Sequence, residues 1–455
     1  MMGVNDARLH VVLPADVFPP GKVGGAAWSS LALATTLHRR GHAVTVIVPR
    51  RGARGVTRRE MDGFAVVEVG YAAPRLPFVQ NYFRFERLWP RLSAVIVEVA
   101  QAGPLARTVI HAQHAQTGPA AVLAGQSLGV PALVTVRDHW PWDYFSTGLH
   151  GDRVPYNRTT AASLLTDLVA RQGPVRGVFA APAIPYMLAH LRRRAALLGR
   201  ADAVIAVSHY IAQRLEAVVA RERIRVVPNI VDTVAIDRVV ADWAEPMLPG
   251  ERASRGKFGA AVVADALPPA APEVKAIASP FVLFVGKLER NKGAHLLPQL
   301  MHTQPGDPLL VIAGDGSLRG TLERELRAAQ VRFHLLPGWT AHDDVLRLMA
   351  RAEVLLFPSA WGEPLSRVLL EATACGACIA ALNTGGTADV IVHNESGVLA
   401  TTAAALRAQL AALLTNPLQR VRLREGARRR AETTFAPGIV AAEMERVYEA
   451  LVARG

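Results

Sequence analysis

The sequence predicts an α/β protein of two doubly wound domains facing a central cleft, and three observations predict it. At 455 residues the chain is about three times the length of a common domain. Short apolar runs alternate with stretches of helical period in two separate series. Between the series, residues 241–279 are rich in Ala, Pro and Gly and keep no period, as a linker or insertion does.

The first series opens with a β-rich run at 8–13, then turn residues at 14–25. A helix follows at 26–40, with Gly41 placed to end it. Residues 44–48 are a near-continuous apolar strand of the kind buried on both faces of a parallel sheet. The same pattern recurs at 108–111, 132–136 and 203–207. The second series has strands at 281–285, 309–313, 331–335, 354–357 and 379–381, with helices at 318–329 and 364–374. A closing helix is expected near 437–454. Strands alternating with helices make each series a Rossmann-like domain.

Composition excludes several function classes. Hydrophobic residues are 51% and charged residues 20%, enough for full cores and too apolar for a disordered chain. Two cysteines build no disulfide framework. The net charge is +13, and of 51 basic residues only Lys22, Lys257, Lys275, Lys287 and Lys292 are lysines. That surplus suits an anionic ligand, but no basic cluster is interleaved with aromatics, so a nucleic-acid partner is not expected. The N-terminus has no apolar stretch of signal-peptide length, and no segment reads as a membrane span. The expected place is the cytoplasm, with a peripheral contact at the inner membrane face left open. Residues 143–190, followed by the basic run 191–194, read equally as a solvated basic element or a surface for that contact.

Ligands of open α/β sheets bind beyond the carboxyl ends of strands, where loops lead into helices. In Gly21-Lys22-Val23-Gly24-Gly25, paired glycines let a ligand approach the backbone while the next helix aims N–H groups at an anion. A tight turn without a ligand is the ordinary alternative. A dinucleotide site is weaker still: the spacing is not G-x-G-x-x-G, and Val48-Pro49-Arg50-Arg51 offers no acid for a ribose. The loop from Gly286 to Gly293 holds Lys287 and Lys292, which could clamp both phosphates of a diphosphate.

The third loop is Trp361-Gly362-Glu363-Pro364-Leu365-Ser366. Pro364 is expected to start a helix, putting Glu371 about two turns in. Carboxylates at 363 and 371 could take sugar or ribose hydroxyls, and the amides at 365–367 phosphate oxygens. Cys375-Gly-Ala-Cys378 has no second ligand pair nearby and reads as small core residues. His111 and His114 divide between ligand contact and satisfied structure.

VGKLERNKG, LVIAGDGSLR, VLLFPSAWGEPLSRVLLEATACG, NTGGTADVI and SGVLA, in this order, resemble the C-terminal half of the family 4 retaining glycosyltransferases of GT-B fold. GKVGG, VIHAQHAQ, GVPALVTVRDHW, RADAVIAVS and VVPNIVD resemble the N-terminal half. The resemblance covers nearly all of the chain outside 143–190 and 241–279. It implies an acceptor-side domain over 1–230 joined by the closing helix 437–455, and a nucleotide-sugar-binding domain over 280–436.

It further implies that Lys287 and Lys292 neutralise the donor diphosphate and that Glu371 binds the ribose. Glu363 would bind the transferred sugar, and the amides of Leu365 and Ser366 the phosphates. Gly24 and Gly25 would close on the diphosphate from the other domain, while Gly286 and Gly338 belong to the donor loops. The implied activity is retaining transfer from a UDP- or GDP-sugar to a hydroxyl acceptor (a glycan, a lipid-linked sugar or a small molecule), with no cofactor and no metal.

Three departures stand out. Lys287 replaces the usual Arg, Leu365-Ser366 replaces Phe-Gly, and Arg137 stands where a histidine is often found, with His139 nearby. Arg137 and His139 therefore mark a catalytic region without assigned acid or base roles. The rival readings are a nucleotide-sugar epimerase and a non-catalytic nucleotide-sugar-binding protein of the same fold.

Overall fold

The computed structural model describes residues 8–20, 24–76, 78–151, 154–155, 159–241, 270–278, 280–301 and 307–454. Gly21 and Lys22 of the first glycine loop, and residues 242–269 of the expected linker, lie outside them. The chain divides into two compact units, Met1–Ile230 with Pro437–Gly455, and Val231–Ala436.

The first unit carries β1 (His10–Pro14), β2 (Ala43–Arg51), β3 (Val56–Met61), β4 (Phe64–Tyr71), β5 (Thr108–Ala112) and β6 (Ala132–Val136). After the short ribbon β7 (Leu149–His150) and β8 (Val154–Pro155) come β9 (Ala203–Ala206) and β10 (Ile224–Val226). The main sheet runs β10-β9-β6-β5-β1-β2-β4-β3, parallel except for β3, which pairs antiparallel with β4. β1, β5, β6 and β9 are buried at every position, because helices cover both faces.

One face of this sheet packs Val11, Leu13, Val46 and Val66 against Leu33 and Leu37 of the helix Gly25–Arg39. Met444 and Tyr448 of the closing helix Pro437–Val452 join the same core. The 143–190 stretch holds the helices Ala161–Gln172 and Pro174–Phe179 and leads into Ile184–Leu198; Leu164, Leu168 and Met187 form their own small core.

The second unit carries β11 (Phe281–Val285), β12 (Leu309–Ala313), β13 (Phe333–Leu335), β14 (Val354–Phe357), β15 (Ile379–Leu382) and β16 (Val398–Ala400). They form one sheet in the order β13-β12-β11-β14-β15-β16, and every pairing is parallel. Phe284, Leu297, Leu310, Leu356 and Leu410 lie in its core, and so does Cys378. Burial pushes the Cys378 thiol up to about 12, as an inert core residue requires.

One expected boundary is corrected. The helix begins at Arg367, not Pro364, and ends at Ala374. Ser366 is its N-cap, its hydroxyl accepting from the Leu369 amide at 3.4 Å, and Gly386 N–H holds the Glu363 carbonyl at 2.6 Å, which keeps 363–366 in a loop. Glu371 consequently sits about one turn into the helix, not two.

Candidate functional site

In each sheet the strand order doubles back once, and a crevice at such a switch point is where doubly wound folds bind ligands. In the second unit that point lies between β11 and β14. β11 delivers the loop with Gly286, Lys287, Lys292 and Gly293; β14 delivers Pro358 to Ser366. Gly293 has φ +74°, and a Cβ there would overlap the Pro358 carbonyl, so only glycine lets the two loops touch.

That contact brings Lys292 to Glu363. The ammonium donates to Oε2 at 2.8 Å and to Oε1 at 3.1 Å. Ser359 Oγ and Trp361 Nε1 also donate to Oε2, at 2.9 and 2.7 Å. Glu363 is 5% exposed, so burial of its charge is compensated by this set of donors. The Trp361 ring lies 4.7 Å from the Lys292 ammonium, a cation–π contact on a side chain that is a quarter exposed. Lys287 is exposed on the same loop.

Glu371 forms a second cluster. Arg367 Nε lies 2.7 Å and His342 Nε2 2.9 Å from the same oxygen, Oε1. Burial pushes the Glu371 carboxyl up, but His342 and Arg367 outweigh it and hold it below its usual range. The bond to Glu371 in turn raises the His342 imidazole against the pull of its burial. Leu365 and Ser366 are buried at the helix entrance, while Gly338, with φ +59°, turns the loop after β13 toward the exposed Trp339.

In the first unit the order doubles back between β1 and β5. There the sheet gathers Asp16, Gln113, His114, Arg137 and Asp138. The Arg137 guanidinium donates to the Gln113 carbonyl, to Gln113 Oε1 at 2.7 Å and to Asn229 Oδ1 at 3.1 Å. Burial lowers it to about 10, with Asp16 and Asp138 opposing. His114 Nε2 lies 3.0 Å from Asp138 Oδ2. Burial disfavours the imidazolium, but Asp138 outweighs it and raises the His114 value.

His139 follows directly after Asp138. It is 1% exposed, its ring 5.6 Å from Trp142 and 5.9 Å from Tyr210. His111 is held between Tyr448 Oη and Thr135 Oγ1, each at 2.7 Å, and burial drops it to about 3. It is therefore a neutral structural residue. Gly24 is the exposed N-cap of the helix Gly25–Arg39, so Gly24 and Gly25 stand at an open helix entrance.

The structure thus joins Lys292 to Glu363, gives Glu371 separate partners and gives Arg137 and His139 different contacts. Ser359, Arg367, Gln113 and Asn229 belong to these clusters although the motifs that contain them gave them no role, and Asp16 and His342 belong to them from outside any motif. Among the described residues, no three His, Cys, Asp or Glu side chains group so as to hold a metal ion.

Comparison with known proteins adds the relationship. Residues 23–234 match the model of the Glycosyltransferase Family 4 domain, and residues 271–430 that of Glycosyl transferases group 1. Glycogen synthase of Mycobacterium tuberculosis is 34% identical over 174 residues, 37% of this chain and 42% of that protein, so the match spans less than half of its length. Anabaena Alr3699/HepE, solved with UDP, superposes with TM-score 0.63 at 16% identity, over 97% of this chain and 100% of that one. Sucrose-phosphate synthase of Thermosynechococcus elongatus does so with TM-score 0.63 at 19% identity, over 98% and 100%. Two successive family domains on two doubly wound sheets establish that the chain belongs to the family 4 glycosyltransferases of GT-B fold.

Proposed function

We propose that the protein transfers a hexose-type unit from a UDP- or GDP-linked donor to a hydroxyl acceptor, with retention of anomeric configuration and without a metal. The observation that carries this reading is the Lys292–Glu363 pair at the switch point of the second sheet. Lys292 and Lys287 place two cations where a diphosphate would leave, and fixed positive charge is most effective where negative charge develops. Each carboxylate oxygen has about two acceptor directions; Lys292, Ser359 and Trp361 crowd Oε2 of Glu363, while Oε1 takes Lys292 alone. A sugar hydroxyl would therefore meet Glu363 at Oε1, beside the Lys292 ammonium.

Both partners of Glu371 sit on Oε1, which leaves Oε2 for a ribose hydroxyl. The amides of Leu365 and Ser366 and the loops at Gly286 and Gly338 complete the donor side. Gly24, Gly25 and Arg137 act from the first unit, with His139 bracing the turn that follows Arg137. The donor reading draws support from a neighbour of the same fold solved with UDP. Retention rests on family membership.

The proposed place is the cytoplasm; among the described residues no helix is long and apolar enough to cross a membrane. A peripheral membrane contact draws its support from the helix Pro174–Phe179, where Val175 is 67%, Val178 59% and Phe179 82% exposed.

A thermal-shift titration with UDP, GDP, ADP, their common sugars and NAD tests the donor site. A ligand at a hundred times its Kd adds about 2.7 kcal/mol of stability. Stabilisation by one nucleoside diphosphate, weakened in Glu371→Ala, is the expected result. Stabilisation by none, or by NAD alone, removes the reading. Release of that diphosphate on adding an acceptor then separates a transferase from a binding protein.

A further inference from the structure

The first sheet carries a second cavity, at the end of its strands opposite Asp16 and Arg137. Side chains alternate between the faces of a strand. Val44 and Val46 of β2 and Phe64 and Val66 of β4 therefore enter the main core, while Ala43, Thr45, Ala65 and Val67 point the other way. Three of these four are small, and the helix Trp89–Gln101 contributes only Val99 from its length. A cavity of about 560 Å³ remains between strands and helix, a size that small-molecule sites have.

Its chemistry is one-sided. Among the described residues Arg8, Arg58 and Arg107 line it, and no Asp or Glu does. Glu98 reaches Arg58 at 2.8 Å, but both side chains are about two-thirds exposed, so the pair holds the guanidinium weakly. Arg107 Nε is buried without a hydrogen-bond partner among the described residues. His10, in the wall, lies with Nδ1 3.3 Å from Thr108 Oγ1, and burial holds it below its ordinary value, so it adds no charge at neutral pH. Apolar walls beneath a rim of guanidinium groups fit a ligand that is apolar at one end and anionic at the other.

We infer that this cavity binds an amphipathic anion, a carboxylate or phosphate on a medium-length apolar body. The site is separate from the proposed donor chemistry and does not depend on it. Decanoate is the probe, titrated calorimetrically into the full chain below its micellar concentration. Decanol and inorganic phosphate serve as the two half-ligands.

One saturable decanoate site is expected, with decanol roughly tenfold weaker and phosphate silent. Arg58→Glu with Arg107→Glu should weaken decanoate by at least about tenfold, and Ala65→Trp should fill the cavity and abolish binding. Both variants should melt like the parent and keep its nucleotide response, which separates loss of this site from loss of fold or donor site. No saturable decanoate binding, equal binding of decanol, or an affinity unchanged in both variants overturns the inference.

Discussion

At the scale of single residues, the Glu371 cluster makes the most direct pH prediction. The His342 imidazole is raised above 6.5 by its bond to Glu371. Its contribution is complete below 6.5 and is lost as pH rises through the raised value. Glu371 works in the opposite sense: its depressed value makes its contribution complete above 4.5 and lost as pH falls through that value. The two together favour the pair between these limits. His342→Gln should remove the alkaline decline while leaving the acid one, read as melting temperature across about pH 4 to 9. An unchanged alkaline limb would show that His342 is not the titrating partner. This pair was illegible in the sequence, because His342 and Glu371 stand 29 positions apart and meet only once their helices pack. The Glu363 donors Ser359 and Trp361 are local, and were legible as a motif but not as a bonded set. The ring contact of His139 with Tyr210 was not legible either, because Tyr210 stands far off in sequence and meets it only once the chain folds.

At the scale of elements, the parallel strands were readable because burial on both faces leaves continuous apolar runs, as in residues 281–285 and 132–136. The hairpin of β3 and β4 was not: β3 is an edge strand carrying Thr57, Arg58, Arg59 and Glu60, which blur any apolar period. Its one signal is Asp62-Gly63, with φ of +51° and +85°, the positive-φ pair that a two-residue hairpin turn demands. The glycine loops permit a sharper test. Gly293 and Gly338 both have positive φ, but an added Cβ meets the Pro358 carbonyl only at Gly293 and open space at Gly338. Gly338→Ala should cost only the left-handed penalty of about 1–3 kcal/mol. Gly293→Ala should cost more in a denaturant titration, and should weaken nucleotide binding because the Lys292 loop must leave the Glu363 loop. Equal costs would mean that the contact between these loops is not a constraint.

At the scale of the whole molecule, the chain order makes the two units unequal. The second unit is one continuous stretch, and its ends meet: Val231 N–H donates to the Phe435 carbonyl at 2.9 Å. It owns a complete parallel sheet and core. The first unit is discontinuous, since Pro437–Gly455 returns to it. Val440, Met444, Val447 and Tyr448 of that return are buried in its core, and Tyr448 bonds His111 at 2.7 Å. Large buried side chains are worth about 2–5 kcal/mol each, so losing these four removes as much as the about 5–15 kcal/mol that stabilises a whole domain. Residues 231–436 alone should therefore melt cooperatively, whereas residues 1–230 alone should show no cooperative transition. A peptide of residues 437–455 added in trans should restore that transition in proportion to its concentration, by mass action. Circular dichroism melts of the three preparations decide it. A cooperative melt of residues 1–230 without the peptide would show that the closing helix is an attachment to that core and not a part of it.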